Sequence, residues 1–76
     1  MTFPAWEMGA RVKVPSHKMP CETVHIDGKY AILQDVDGPF VVVCGDQSKF
    51  KLADAANPNC PTLLGAMTII SDAKAK

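Results

Sequence analysis

Four side chains of this sequence are of the types that bind zinc: Cys21, His25, Cys44 and Cys60. Four thiolate and imidazole ligands suffice for a tetrahedral zinc site. Their spacing argues against one, because no C-x-x-C pair is present, and because Cys21 and His25 would lie about 13 Å apart along one extended strand. We therefore predict no metal and no cofactor. Cys44 is interpreted as a core residue, and Cys21 and Cys60 as loop thiols beside prolines.

Two arrangements suited to catalysis are also present in the sequence. A thiolate nucleophile would need Cys21 within about 3 Å of a base such as His17 or His25, but nothing in the sequence orients either histidine. Asp35 and Asp37 share one face of an extended segment, as paired carboxylates would, yet Asp37-Gly38-Pro39 is typical of a turn. The sequence therefore predicts a protein that is not an enzyme.

A basic group near the start of the chain is the candidate nucleic-acid contact: Arg11, Lys13 and Lys18. Arg11 and Lys13 alternate with valines, so both point the same way from a strand. Lys49 and Lys51 are further candidates if the fold brings them near. The alternative interpretation is that Arg11 and Lys13 are simply the solvent-facing side of the first strand.

Trp6 and Tyr30 are the candidate stacking surfaces for bases in such a nucleic-acid site. The formal net charge is zero, since Lys+Arg and Asp+Glu both total 8. A neutral chain is a poor non-specific nucleic-acid binder, although a local basic patch remains compatible with it.

An apolar segment near the end of the chain is the candidate protein interface. Its proposed contact residues are Leu63, Leu64, Met67, Ile69 and Ile70. This is more apolar surface than one barrel strand buries on one face, which indicates a contact with another molecule. The competing interpretations are a central strand buried on both faces and a C-terminal helix packed on the barrel. Gly65 and the β-branched residues 68–70 disfavour the helix.

The positioning elements predicted around these residues are short strands. Asp27-Gly28 separates two alternating runs and predicts a hairpin over Thr23–Gln34 with a type I′ turn. Residues 11–14 and 40–44 form further strands, and residues 50–52 form a short strand or a 3₁₀ turn. The predicted fold is all-β, a small SH3-like barrel of four to five antiparallel strands. Residues 1–8 are a lead-in, residues 9–70 the barrel and residues 71–76 a flexible tail.

Length and composition narrow the class of protein further. A chain of 76 residues with 47% hydrophobic residues is one small globular domain with little core to spare for a deep substrate cleft. The apolar runs are too short to cross a bilayer, and the first residues do not resemble a signal peptide. An odd number of cysteines suits free thiols in a reducing compartment, so the expected location is cytoplasmic.

A family resemblance rests on residues 9–24, about a fifth of the chain. The matching residues are Gly9, Val12, Ser16, Pro20, Thr23 and Val24. This pattern resembles the opening of the small bacterial YodC-like proteins, which have an SH3-like fold. Val14 and Glu22 replace a leucine and a methionine of the family pattern, and the family's Gly-Gly pair and third-strand tryptophan are missing. The resemblance implies a fold and no functional residues.

The function expected from the sequence is binding or assembly without catalysis, in an accessory protein of a bacterium, phage or mobile element. The expected partner is another protein or a second copy of the chain, and no membrane contact is expected. If the chain assembles through residues 63–70, Ile69→Lys is expected to abolish assembly. The alternative is a nucleic-acid-binding SH3-like barrel that uses Arg11, Lys13 and Lys18.

Overall fold

The computed structural model describes residues 6–14, 18–36, 38–47, 49–53 and 59–75. His17, Asp37 and residues 1–5 of the predicted lead-in lie outside this range. The elements in chain order are β1 (Arg11–Val12), β2 (Cys21–Asp27), β3 (Tyr30–Gln34), β4 (Phe40–Gly45), β5 (Phe50–Leu52) and α1 (Leu63–Ala75). Each strand pairs antiparallel with the next along the chain. The result is a mostly β, curled half-barrel with one C-terminal helix. The predicted fold class is confirmed, and the sheet is consistent with a small SH3-like barrel.

The predicted hairpin is confirmed as β2 and β3, with Asp27 paired to Tyr30 at its closed end. Its central residues are Gly28 and Lys29, and only Gly28 has a positive φ, of 61°. Glycine at the first central position matches a type II′ turn, so the predicted type I′ turn is wrong. The register shifts between Thr23 and His25, so the Val24 bulge places His25 opposite Ile32.

Apolar side chains pack on both faces of the sheet, and we name the two groups the inner and the outer cluster. The inner cluster is Trp6, Val12, Val14, Cys21, Ala31, Leu33, Val41 and Val43. The outer cluster is Ile32, Val42, Cys60, Ala66 and Ile70. Successive residues of β3 and β4 alternate between the two clusters, which confirms the prediction that residues 40–44 form a strand buried on both faces.

Trp6 closes the inner cluster, with only 1% of its surface exposed. Its ring centroid lies 5.3 Å from that of Phe50. Its Nε1–H donates to the carbonyl oxygens of Gly45, at 3.1 Å, and Lys29, at 3.4 Å. The prediction that Trp6 offers a stacking surface for bases is therefore wrong. In a half-barrel this small, the largest apolar side chain contributes most by filling the interior.

The C-terminal segment is a helix packed on the sheet, which is the interpretation that Gly65 and residues 68–70 disfavoured. Thr62 caps it, because its Oγ1 accepts a hydrogen bond from the Gly65 N–H at 3.1 Å. Gly65 occupies the third helical position, where that cap satisfies its N–H. Ala66 and Ile70, four residues apart, reach the outer cluster, and their burial outweighs the weak helix propensity of the β-branched residues. The helix also includes residues 71–75, where the sequence predicted a tail.

Candidate interaction surfaces

The first half of α1 presents three apolar side chains to solvent. Leu63 is 39% exposed, Leu64 75% and Met67 42%. Met67 follows Leu64 by three residues and Leu63 by four, so its side chain neighbours both and the three form one continuous patch. Of the five predicted interface residues, Ile70 is buried and Ile69 packs against the outer cluster. Those two are core residues because α1 turns them toward the sheet, so the exposed patch is Leu63, Leu64 and Met67.

A groove runs between α1 and β2 beside this patch. It has a volume of about 240 Å³, and its lining residues are His25, Asp27, Met67, Ile70, Ser71 and Lys74. At one end the Lys74 Nζ donates to both carboxylate oxygens of Asp27, at 2.9 and 3.0 Å. Both side chains of this ion pair remain well exposed, so we expect it to contribute less than about 1 kcal/mol to stability. Met67 and Ile70 give the groove an apolar part, and the ion pair gives it one charged end.

The predicted basic group lies at the opposite end of the sheet. Arg11 is paired with Glu22 across β1 and β2, and it lines a small depression that also includes Asp35. The Lys13 Nζ donates to the backbone carbonyl of Lys18 at 2.9 Å. Two carboxylates therefore offset the Arg11 charge, which weakens the attraction of this surface for phosphate.

Tyr30 does not join this basic group. Tyr30 is the first residue of β3, and Gln34 is the last. Gln34 is the residue paired with Glu22, beside Arg11. Four residues of strand separate Tyr30 from Gln34 by about 13 Å. The predicted binding residues therefore divide into three places: Trp6 in the core, Arg11, Lys13 and Lys18 at one end of the sheet, and Tyr30 at the other.

A second group of lysines surrounds Tyr30, and we name it the hairpin-end group: Lys29, Lys49, Lys51 and Lys74. Backbone pairing brings the strand and turn lysines to the same end of the sheet. The Lys29 carbonyl accepts a hydrogen bond from the Gly45 N–H at 2.8 Å, and Lys51 of β5 lies opposite Cys44 of β4. Cys44 in turn pairs with Tyr30. Sequence reasoning missed Lys29 and Lys74 as site residues. The available signal was the position of Lys29 directly after the Asp27-Gly28 pair, which places it at the hairpin end.

The cysteines do not converge. Cys21 belongs to the inner cluster and Cys60 to the outer cluster, so the sheet lies between them. Within the part of the chain that the structure describes, no group of three or more His, Cys, Asp or Glu side chains is placed to hold a metal ion. Burial raises the pKa of the Cys21 thiol, and nearby Asp35 raises it further while Lys13 lowers it. This thiol is therefore a poor nucleophile. Cys21 and Cys60 are both buried rather than the loop thiols expected from their neighbouring prolines.

Thiol labelling is expected to separate the three cysteines. Cys44 is partly exposed and should react with Ellman's reagent within minutes in the native protein, whereas Cys21 and Cys60 should react only on unfolding. The measurement is the number of thiols released before and after adding denaturant, with Cys44→Ser as control. Rapid reaction of either remaining thiol in the native Cys44→Ser protein would contradict the burial of Cys21 and Cys60.

Comparisons with known proteins add no family to this description. No family model, no curated protein and no solved structure matches the chain. The resemblance to YodC-like proteins therefore stays a prediction. The one helix among the described residues, α1, has 13 residues and does not meet the length and apolar character needed to cross a bilayer.

Proposed function

We propose that this chain is a non-enzymatic assembly module that associates with a second copy of itself through the exposed patch on α1. The observation that carries the proposal is the exposure of Leu64, at 75%, between two further exposed apolar side chains on the same side of the helix. Adjacent exposed apolar side chains mark interfaces more often than isolated ones do.

The groove beside the patch supplies a matching receptor. Met67 and Ser71 follow Leu64 by three and seven residues, so the groove opens on the side of α1 that carries Leu64. Its volume of about 240 Å³ exceeds the roughly 150 Å³ that an engineered apolar cavity in a protein core leaves. A two-fold dimer would place Leu64 of each copy in the groove of the other, because such an interface uses the same surface twice.

Charge also favours a second copy over a strongly charged partner. The formal net charge of the chain is zero, so two copies approach without net repulsion. The patch itself contains no charged side chain, and the nearest ion pair, Lys74 with Asp27, already satisfies both of its members.

The test is to place a charge in the patch and measure the oligomeric state. We expect the wild-type chain to dimerise, and Leu64→Lys and Met67→Lys each to raise the dimer dissociation constant at least tenfold, because each buries an ammonium group in an apolar contact. Sedimentation velocity over a concentration series measures this. The matched control is Met8→Lys, since Met8 is a 62% exposed methionine outside the patch.

Two outcomes would overturn the proposal: a wild-type chain that stays monomeric at millimolar concentration, or a Met8→Lys chain that dissociates as readily as Met67→Lys. Ile69→Lys, which the sequence suggested, is not a suitable variant. Ile69 packs against the outer cluster, so its replacement would disturb folding as well as assembly.

A further inference from the structure

We propose that the hairpin-end group binds single-stranded nucleic acid, with a base stacked on the Tyr30 ring and the adjoining phosphates held by Lys29 and Lys51. This site is separate from the Arg11, Lys13 and Lys18 group. It does not rest on self-association, although it shares Asp27 and Lys74 with the groove beside α1.

A basin of suitable size lies at this end of the sheet, between the hairpin turn and the last turn of α1. Its volume is about 490 Å³, and its lining residues are Asp27, Gly28, Lys29, Tyr30, Ala73 and Lys74. Binding sites for small organic ligands typically span about 300–1,000 Å³, so one nucleotide unit fits here. The basin is open to solvent, which leaves room for the chain to continue on both sides.

Tyr30 provides the stacking surface. It is half-buried, and its inner part packs against the outer cluster, so the ring is held in place before any ligand arrives. The Lys29 Nζ lies 5.7 Å from the ring centroid, which shows that this ring already attracts a cation. A base on the ring would let the Lys29 ammonium group turn to the neighbouring phosphate. Aromatic rings bind bases in this way with little regard to sequence.

The lysines give the basin its charge. Lys51 lies on the same face of the sheet as Tyr30, two strands away across Cys44, at a spacing of about 10 Å. The exposed Lys49 precedes it on the β4–β5 connection. Two carboxylates lie at this end. Asp27 is paired with Lys74, and the Asp46 carboxylate accepts a hydrogen bond from the Lys49 N–H at 2.7 Å. The four lysines of the hairpin-end group outnumber these two carboxylates, so a net positive charge is left for phosphate.

The geometry favours a single strand over a duplex. Stacking on Tyr30 requires an unpaired base, because paired bases expose only their edges in the grooves. Two lysine–phosphate contacts, by Lys29 and Lys51, predict that affinity for a single strand falls about sevenfold between about 50 mM and about 200 mM salt.

The test is fluorescence anisotropy with a labelled single-stranded DNA of about 12 nucleotides and mixed sequence. We expect Tyr30→Leu, which retains an apolar side chain against the outer cluster, to weaken binding about tenfold, and Tyr30→Phe to retain it. Lys29→Glu with Lys51→Glu should weaken binding by more than tenfold. The matched control is Lys13→Glu with Lys18→Glu at the other end of the sheet, which should leave binding unchanged. Circular dichroism confirms that each variant is folded.

Several outcomes would overturn the inference. They are absence of binding by the wild-type chain, equal affinity for the duplex of the same sequence, and equal loss in the Lys13 and Lys18 control. An unchanged affinity in Tyr30→Leu would exclude stacking. Binding to vesicles of an anionic phospholipid, without binding to the oligonucleotide, would assign the lysines to a membrane surface instead.

Discussion

Trp6→Ala is expected to lower the free energy of unfolding by about 3–5 kcal/mol, the usual cost of removing a buried tryptophan. The ring is buried in the inner cluster and packs on Phe50. Its N–H also ties the Lys29 and Gly45 carbonyls together. A small domain has a total stability near the low end of about 5–15 kcal/mol, so this loss would leave much of the variant unfolded.

Urea denaturation followed by circular dichroism measures this loss. Trp6→Phe is the matched variant, because it retains an aromatic ring near Phe50 and loses only the indole N–H and some volume. We expect it to cost about 1–3 kcal/mol. If Trp6→Ala unfolded at the same urea concentration as the wild type, the placement of Trp6 in the inner cluster would be wrong.

Gly45→Ala is the second large effect that we expect, with a loss of about 2–4 kcal/mol. Gly45 ends β4 with a φ of 133°, a backbone conformation that side chains with a Cβ rarely adopt. A Cβ atom there would stand 2.6 Å from the Lys49 carbonyl oxygen, so the β4–β5 connection would have to shift. The shift would also disturb the Gly45 carbonyl that Trp6 contacts.

Gly28→Ala is the control that separates the backbone strain from the clash. Gly28 has a φ of 61°, but a Cβ atom there would meet nothing within 4 Å. We expect a loss of only about 1–2 kcal/mol, the cost of a left-handed conformation in a residue with a Cβ. Thermal and urea unfolding of the two variants in parallel give the comparison. Equal losses of unfolding free energy in the two variants would show that the contact between a Cβ atom at Gly45 and the Lys49 carbonyl adds no cost.

These two positions also bear on the proposed nucleic-acid surface. Trp6 and Gly45 hold the hairpin end and the β4–β5 connection together, and these segments carry Lys29, Lys49 and Lys51. A folded Trp6→Phe variant should therefore bind the single-stranded oligonucleotide somewhat less tightly than the wild type, although Trp6 itself touches no ligand. The exposed patch on α1 lies away from this contact, so its self-association should be unaffected.

The local features of the fold could be read from the sequence. Alternating apolar residues on both sides of Asp27-Gly28 predicted the β2–β3 hairpin, since a turn with a positive φ requires glycine at that point. The β-branched run at residues 40–44 predicted a strand buried on both faces. In both cases the signal lies within a few neighbouring residues, so no knowledge of distant contacts was needed.

Only the tertiary structure decided the features that depend on distant contacts. Residues 63–70 have the composition of a strand, and they form a helix because the Thr62 cap and the outer cluster favour that conformation. Trp6 is core rather than surface because Gly45 and Phe50, about 40 residues away, surround it. The hairpin-end lysines come from three separate segments, and strand register together with the packing of α1 on the sheet brings them together. The sequence determined which short segments pair and turn, and packing determined which side chains remain exposed to bind.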